Sequence, residues 1–302
     1  MSKMYRNDFL CWLTRLWVAA LVCLGTAQAA GPESNSATSL RTKYAELSHS
    51  LNNNQFKRPL VLDSVESPSS LKGDIYALID YPFASVNEAL NDPAHWCDVL
   101  ILHLNTKYCR ARTDPSGTML TVSIGKKYFQ GLDDAYRVAF TYRVATSTPD
   151  YFDIGLNAKS GPLGTSDYRI RLEAVALNGG KTFLHLTYSY AYNFVARVAM
   201  QGYLTTLGSG KVGFTRTGPP SGRQADYIGG VRGVVERNTM RYFLAIDAYL
   251  GALATPPAQQ FEHRLQRWFA STDLYPRQLH EVSREAYLEM KRGEYLRMQK
   301  PP

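Results

Sequence analysis

Between Tyr168 and Leu177 apolar and polar positions alternate: Tyr168, Ile170, Leu172, Ala174 and Ala176 fall on one side, and Arg169, Arg171 and Glu173 on the other. A period of two with one apolar side is the pattern of an antiparallel sheet that is wet on one face. Related runs predict strands near His103–Arg112, Thr118–Gly125, Ala135–Thr146, Tyr151–Ala158 and Thr182–Asn193, with turns at Asp114-Pro-Ser-Gly117 and Asn178-Gly-Gly180. Upstream, Pro59–Asp63 and Gly73–Tyr81 flank a Ser-Pro-Ser-Ser turn and predict a hairpin or two adjacent strands.

The period changes elsewhere. Leu40, Tyr44, Leu47 and Leu51 are spaced for one helix face within residues 31–54, and Val86, Ala89 and Leu90 predict a short helix between Pro82 and Pro93. From Tyr227 to Leu253, Ile228, Val231, Val235, Tyr242, Ala245, Ile246 and Tyr249 recur at helical spacing until Pro256-Pro257. At about 1.5 Å per residue such a helix crosses a whole sheet and covers its apolar face. Ala258–Ala270 and Leu274–Met298 predict two further helices, the second with Tyr275, Leu279, Val282, Ala286 and Met290 on one face. Residues 202–222 read as a Gly-rich insertion.

Composition narrows the class. With 302 residues, 45% of them hydrophobic, the chain can bury a sizeable core, and four cysteines are too few for a disulfide-dense scaffold. The longest apolar run, Leu16–Leu24, follows Lys3 and Arg6 and precedes Ala27-Gln28-Ala29-Ala30, the order of a secretory signal. It is short of the about 20 residues a membrane span needs. Cleavage after Ala29 or Ala30 is expected, against an uncleaved anchor or a lipoprotein using Cys23, whose Val22 is a poor match. Loss of Lys3, Arg6, Arg15 and Asp8 with residues 1–29 lowers the formal charge from +8 to +6. Cys97 and Cys109 then remain, in a periplasmic or secreted setting that permits a disulfide across twelve residues. The rival is a metal site drawing on His95 and His103, but the spacing has none of the tight pairs of zinc sites.

Strand, short helix, antiparallel strands, long helix: with Asp80-Tyr-Pro-Phe-Ala-Ser-Val86, Ala89-Leu90 and Asp92-Pro-Ala-His-Trp96, this order resembles the helix-grip fold of the START-like ligand-binding superfamily, of the polyketide cyclase and lipid-transport type. The likeness covers about Leu71 to Leu253. It implies an α+β fold in which a curved antiparallel sheet grips one long helix around an elongated apolar cavity for a lipid, sterol, polyketide or aromatic ligand. The lead helix, the Gly-rich insertion and the helices beyond Pro257 depart from the common pattern. The organisation expected is a signal at 1–29, a lead helix and first strand at 31–70, a START-like domain at 71–253 and a C-terminal helical extension at 254–302.

Acid-base chemistry, if the cavity has any, would fall to His95, His103, His185, Glu236 or Asp247, each of which has a plain structural alternative. Glu236 can pair with Arg232 or Arg241 on the long helix, either toward the cavity as a ligand anchor or toward solvent. Tyr188, Tyr190 and Tyr192 share a strand face, and Tyr142 follows Phe140 on another; such rings suit a pocket for an amphipathic ligand or a plain aromatic ladder. The cavity candidates are Tyr142, Tyr188, Tyr190, Tyr192, Glu236, Arg241, Tyr242 and Tyr249. Gly208-Ser-Gly-Lys-Val-Gly213 spells the dinucleotide fingerprint without a βαβ unit, and Ser123-Ile-Gly-Lys126 has its serine in a strand rather than a helix, so neither carries chemistry.

The expected function is non-catalytic binding of a hydrophobic or lipid-like molecule outside the cytoplasm, with no cofactor, no metal and no nucleic acid, and with transient attraction to an anionic membrane surface. The alternatives are an enzyme using the same cavity, with His185 or Glu236 turned inward, or an envelope protein docking through an exposed stripe of Tyr275, Leu279, Val282 and Met290.

Overall fold

Eight strands form one curved, unclosed antiparallel sheet in the order β1-β2-β8-β7-β6-β5-β4-β3. They are β1 (Leu60–Ser67), β2 (Ser70–Ile79), β3 (Thr106–Asp114), β4 (Gly117–Ile124), β5 (Tyr136–Ser147), β6 (Tyr151–Ser160), β7 (Thr165–Leu177) and β8 (Lys181–Tyr192). This computed structural model describes residues 36–205, 210–218 and 226–300, all within the unit Asn35–Pro302. The signal expected at 1–29 and part of the Gly-rich insertion lie outside the described residues. Turn chemistry fixes the register of β7 with β8: Gly179 and Gly180 both take positive φ, which the hairpin requires.

The 21-residue helix α5 (Gly230–Leu250) lies in the concavity, where Val235, Met240, Phe243 and Leu244 pack with Ile75, Ile170, Leu172, Leu184 and Leu186. It packs tightly on β2 at Gly73, where any Cβ would collide with the Thr239 side chain. Two short helices, α2 (Phe83–Leu90) and α3 (Pro93–Leu100), carry the chain from β2 to the far edge strand β3. Pro93 occupies the first turn of α3 and the Asp92 side chain accepts from the Ala94 N–H, a sequence-encoded start. Cys97 and Cys109 form a disulfide that ties α3 to β3, as their spacing predicts. Together the strand order, the tight β1–β2 hairpin, the helix pair and the gripped helix make this a helix-grip fold.

Three expectations are corrected. The convex face is not uniformly wet: the lead helix α1 (Ala37–Asn52) packs Leu40 and Leu51 against Tyr151, Val175 and Phe183 there. The Gly-rich segment begins in a helix, α4 (Phe194–Thr205), started by Asn193, whose side chain accepts from the Ala196 N–H. The expected helix over Leu274–Met298 is two, α7 (Pro276–Leu279) and α8 (Arg284–Met298), because His280 turns extended and Ser283 caps a fresh start, its hydroxyl accepting from the Ala286 N–H.

The C-terminal helices are packed, not displayed. In α6 (Pro257–Asp273) the Trp268 indole donates to the Arg241 carbonyl and stacks on Tyr287 of α8 at 4.8 Å. Leu279 and Met290 are buried, and Tyr275 and Val282 pack partly against the core, so these four do not form an exposed stripe. Under α8, the fully buried Lys107 and Lys291 both bind Glu294, at 3.0 and 2.7 Å, and Lys291 also donates to the His103 and Thr106 carbonyls.

Candidate functional site

On the concave face, strand alternation brings the rings of Tyr168, Tyr188 and Tyr190 together, with Tyr168 and Tyr190 stacked at 5.2 Å. Helix α5 adds Tyr242, 5.1 Å from Tyr188, and Tyr242 in turn stacks on His103 at 4.9 Å. Although α5 is buried on nearly every side, Val234, Asn238 and Tyr242 keep accessible surface. These positions are four apart and form one helix stripe. Tyr242 contacts the tyrosines, and the Asn238 amide stands beside Tyr188 and His103, so the stripe faces the sheet.

His103 is the chemically distinctive member. Its ring is buried, Nδ1 accepts from the Asn105 N–H at 3.2 Å, and Nε2 makes no well-formed hydrogen bond, its polar neighbour being the Asn238 side chain. Burial, reinforced by the positive charges of Arg241, Lys291 and Lys127, holds its pKa well below the ordinary histidine value, so the ring is neutral. With Nδ1 accepting, the proton of a neutral ring sits on Nε2. The result is an N–H donor among aromatic walls whose polar neighbour is the Asn238 side chain. Burial, with the other tyrosines nearby, likewise raises Tyr188 well above the ordinary tyrosine value and keeps the hydroxyl protonated.

The other candidates from the sequence divide clearly. Tyr142 and Tyr192 are on the concave side, but their hydroxyls donate to backbone carbonyls of Asn91 and Ser67 and so brace α2 and the β1–β2 turn. Tyr249 lies under the Arg264 guanidinium, 4.2 Å from the ring centroid, facing α6. Glu236 is fully buried, yet it accepts from the Ser64 hydroxyl, the Phe214 and Thr215 N–H groups and the Thr215 hydroxyl, with Arg232 4.0 Å away. It fastens the segment before α5. Arg241 pairs with Glu281 at 3.0 Å and donates to the Asn238 carbonyl oxygen, which orients that amide toward the tyrosines.

His185 is on the convex face, between Asp74 at 2.9 Å and Glu173 at 3.2 Å. Burial alone would lower its pKa, but the two carboxylates raise it. His95 binds the Ala89 carbonyl, and Asp247 pairs with Arg58 and Arg267. Tyr168, Val234 and Asn238 were missed; a four-residue step back from Tyr242 was the available signal for two of them. Among the described residues no group of three His, Cys, Asp or Glu is placed to hold a metal.

No family model matches the chain, and no curated protein does. Among solved structures, norcoclaurine synthase from Thalictrum flavum is 10% identical, covering 50% of this chain and 82% of that one at a TM-score of 0.32. The di-domain ARO/CYC BexL from the BE-7585A biosynthetic pathway is 14% identical over 76% of this chain and 57% of its own, at 0.32. CalU16 from Micromonospora echinospora is 12% identical over 74% of this chain and 98% of its own, at 0.30. At these scores the likenesses carry no functional argument; the helix-grip assignment rests on strand order and the helix in the concavity.

Proposed function

We propose that this chain binds a hydrophobic or amphipathic small molecule between the concave tyrosines and α5, with an oxygen acceptor of the ligand on His103 Nε2. The observation that carries this reading is the sheet-facing stripe Val234, Asn238 and Tyr242, which keeps accessible surface beside a buried donor that makes no well-formed hydrogen bond. A buried N–H without a well-aligned acceptor is unfavourable, and an acceptor-bearing ligand supplies one. No covalent step is needed. Delivery outside the cytoplasm by the segment 1–29 is part of the proposal. So is loading at a membrane, for which the exposed Leu163, Phe194 and Val198, beside one another where the β6–β7 turn meets α4, are the supporting side chains.

Extraction of the purified protein followed by mass spectrometry tests the binding reading. A stoichiometric hydrophobic compound is expected from the wild type and is lost from Asn238→Phe, which fills the stripe, while circular dichroism shows both folded. Protein that is empty in every preparation, and that gains no thermal stability from fatty acids, sterols or aromatic polyketides, overturns it. The enzymatic alternative draws on the same His103. It requires chemical change of the extracted compound on incubation and loss of that change in His103→Gln.

A further inference from the structure

The convex face, away from the tyrosine site, carries a second concavity. A groove of about 800 Å³ runs along the edge of the sheet, lined by Tyr108, Arg110, Arg112, Arg137, Arg297 and Lys300 together with Ala111, Thr121, Ser123 and Leu132. Register explains the convergence. Tyr108 pairs with Ser123, which pairs with Arg137, and Arg110 pairs with Thr121, so these side chains alternate onto the same face with short neighbours between them. The end of α8 adds Arg297, anchored by its bond to the Gln130 carbonyl and its place over the Phe129 ring, and Lys300 just beyond.

Five cations line the groove and no carboxylate does. Asp114, the acid that acts on Arg112, sits at the hairpin turn outside it. Among the described residues Arg110, Arg112 and Arg137 have no hydrogen-bond or ion-pair partner from the protein. On the same face Arg171 is bound by Asp153 and Glu173, and His185 by Asp74 and Glu173. Converging, unpaired guanidinium groups in a concave site, floored by Thr and Ser hydroxyls, have the donor geometry for phosphate or carboxylate oxygens.

We propose that this groove binds a soluble ligand carrying two or more phosphate or carboxylate groups. A flat bilayer meets the rim of a concave site before its floor, which favours a free ligand over lipid headgroups. The volume is in the range of small-molecule sites, roughly 300–1,000 Å³.

Isothermal titration of the full chain with inorganic tripolyphosphate at low ionic strength tests it. Saturable one-to-one binding is expected, weakened about tenfold or more by Arg110→Ala with Arg137→Ala and by less than about twofold by Arg143→Ala with Arg169→Ala. The second pair removes the same charge from exposed positions outside the groove. Equal losses from both pairs mean diffuse attraction and overturn the proposal, as does absence of saturation below about 1 mM. Capture by phosphatidylglycerol vesicles without tripolyphosphate binding also overturns it, assigning the cations to a membrane surface. Circular dichroism of both double variants separates loss of binding from loss of fold.

Discussion

Glu281, in the turn between α7 and α8, is met by Lys127, Lys211 and Arg241, which come from three different parts of the chain. Burial alone would raise its pKa, but Arg241 and the two lysines hold it down at about 2. An unfolded glutamate titrates near 4.5, so the folded protein keeps this carboxylate ionised through a range where the unfolded chain takes up a proton. Its stabilisation is therefore present above about pH 4.5 and lost as pH falls toward 2, a contribution on the order of 3 kcal/mol. Urea unfolding of the wild type and Glu281→Gln should give free energies that differ most at neutral pH and converge near pH 2. Curves that stay parallel over that range would show the three cations are not bound to this carboxylate in solution.

The elements of this fold were largely legible, for reasons that differ from one to the next. Alternation gave the inward set of β7, and Asn178-Gly-Gly180 gave its turn, because both are local properties of the backbone. Helical spacing gave α5 to within three residues at each end. It also placed Tyr242 among the inward positions, though not Val234 and Asn238 beside it. It could not say where Glu236 and Arg241 would find partners, since those lie on Ser64, residues 214–215 and Glu281, remote in sequence. The start of α4 and the break before α8 were missed because each depends on one capping side chain, Asn193 or Ser283. The convex groove had no linear signature: its cations come from β3, β5 and the end of α8.

Contact between α5 and the sheet makes its own prediction at this scale. A methyl at position 73 falls far inside van der Waals contact of the Thr239 side chain, whose hydroxyl already donates to the Val235 carbonyl. Gly73→Ala should cost about 1–3 kcal/mol of unfolding free energy, and Thr239→Ala in the same chain should recover part of it. If Gly73→Ala is neutral in chemical denaturation, the helix does not sit this close to β2.

At the scale of the molecule, the question is whether residues beyond Leu253 form an appendage or part of one cooperative body. Trp96 in α3 and Trp268 in α6 are both buried, and the two other tryptophans precede residue 30. Between them runs a continuous path of contacts. Asp98 of α3 pairs with Arg264 of α6, Trp268 donates to the α5 backbone, and α8 holds Lys107 of β3 through Glu294. Unfolding α6 and α8 alone would strand Lys107 beside its apolar neighbours and open the faces of Trp268 and Tyr287 to water. Local opening of that kind costs free energy comparable to a large part of global unfolding. In chains lacking residues 1–29, Trp268→Phe and Trp96→Phe each leave a single indole as reporter. Their urea transitions, followed by fluorescence, should coincide with each other and with far-ultraviolet circular dichroism once the stability cost of each substitution is subtracted. A Trp268 signal lost at clearly lower urea than the Trp96 signal would make the C-terminal helices a separate unit, and would leave the floor of the convex groove without the wall that Arg297 and Lys300 provide.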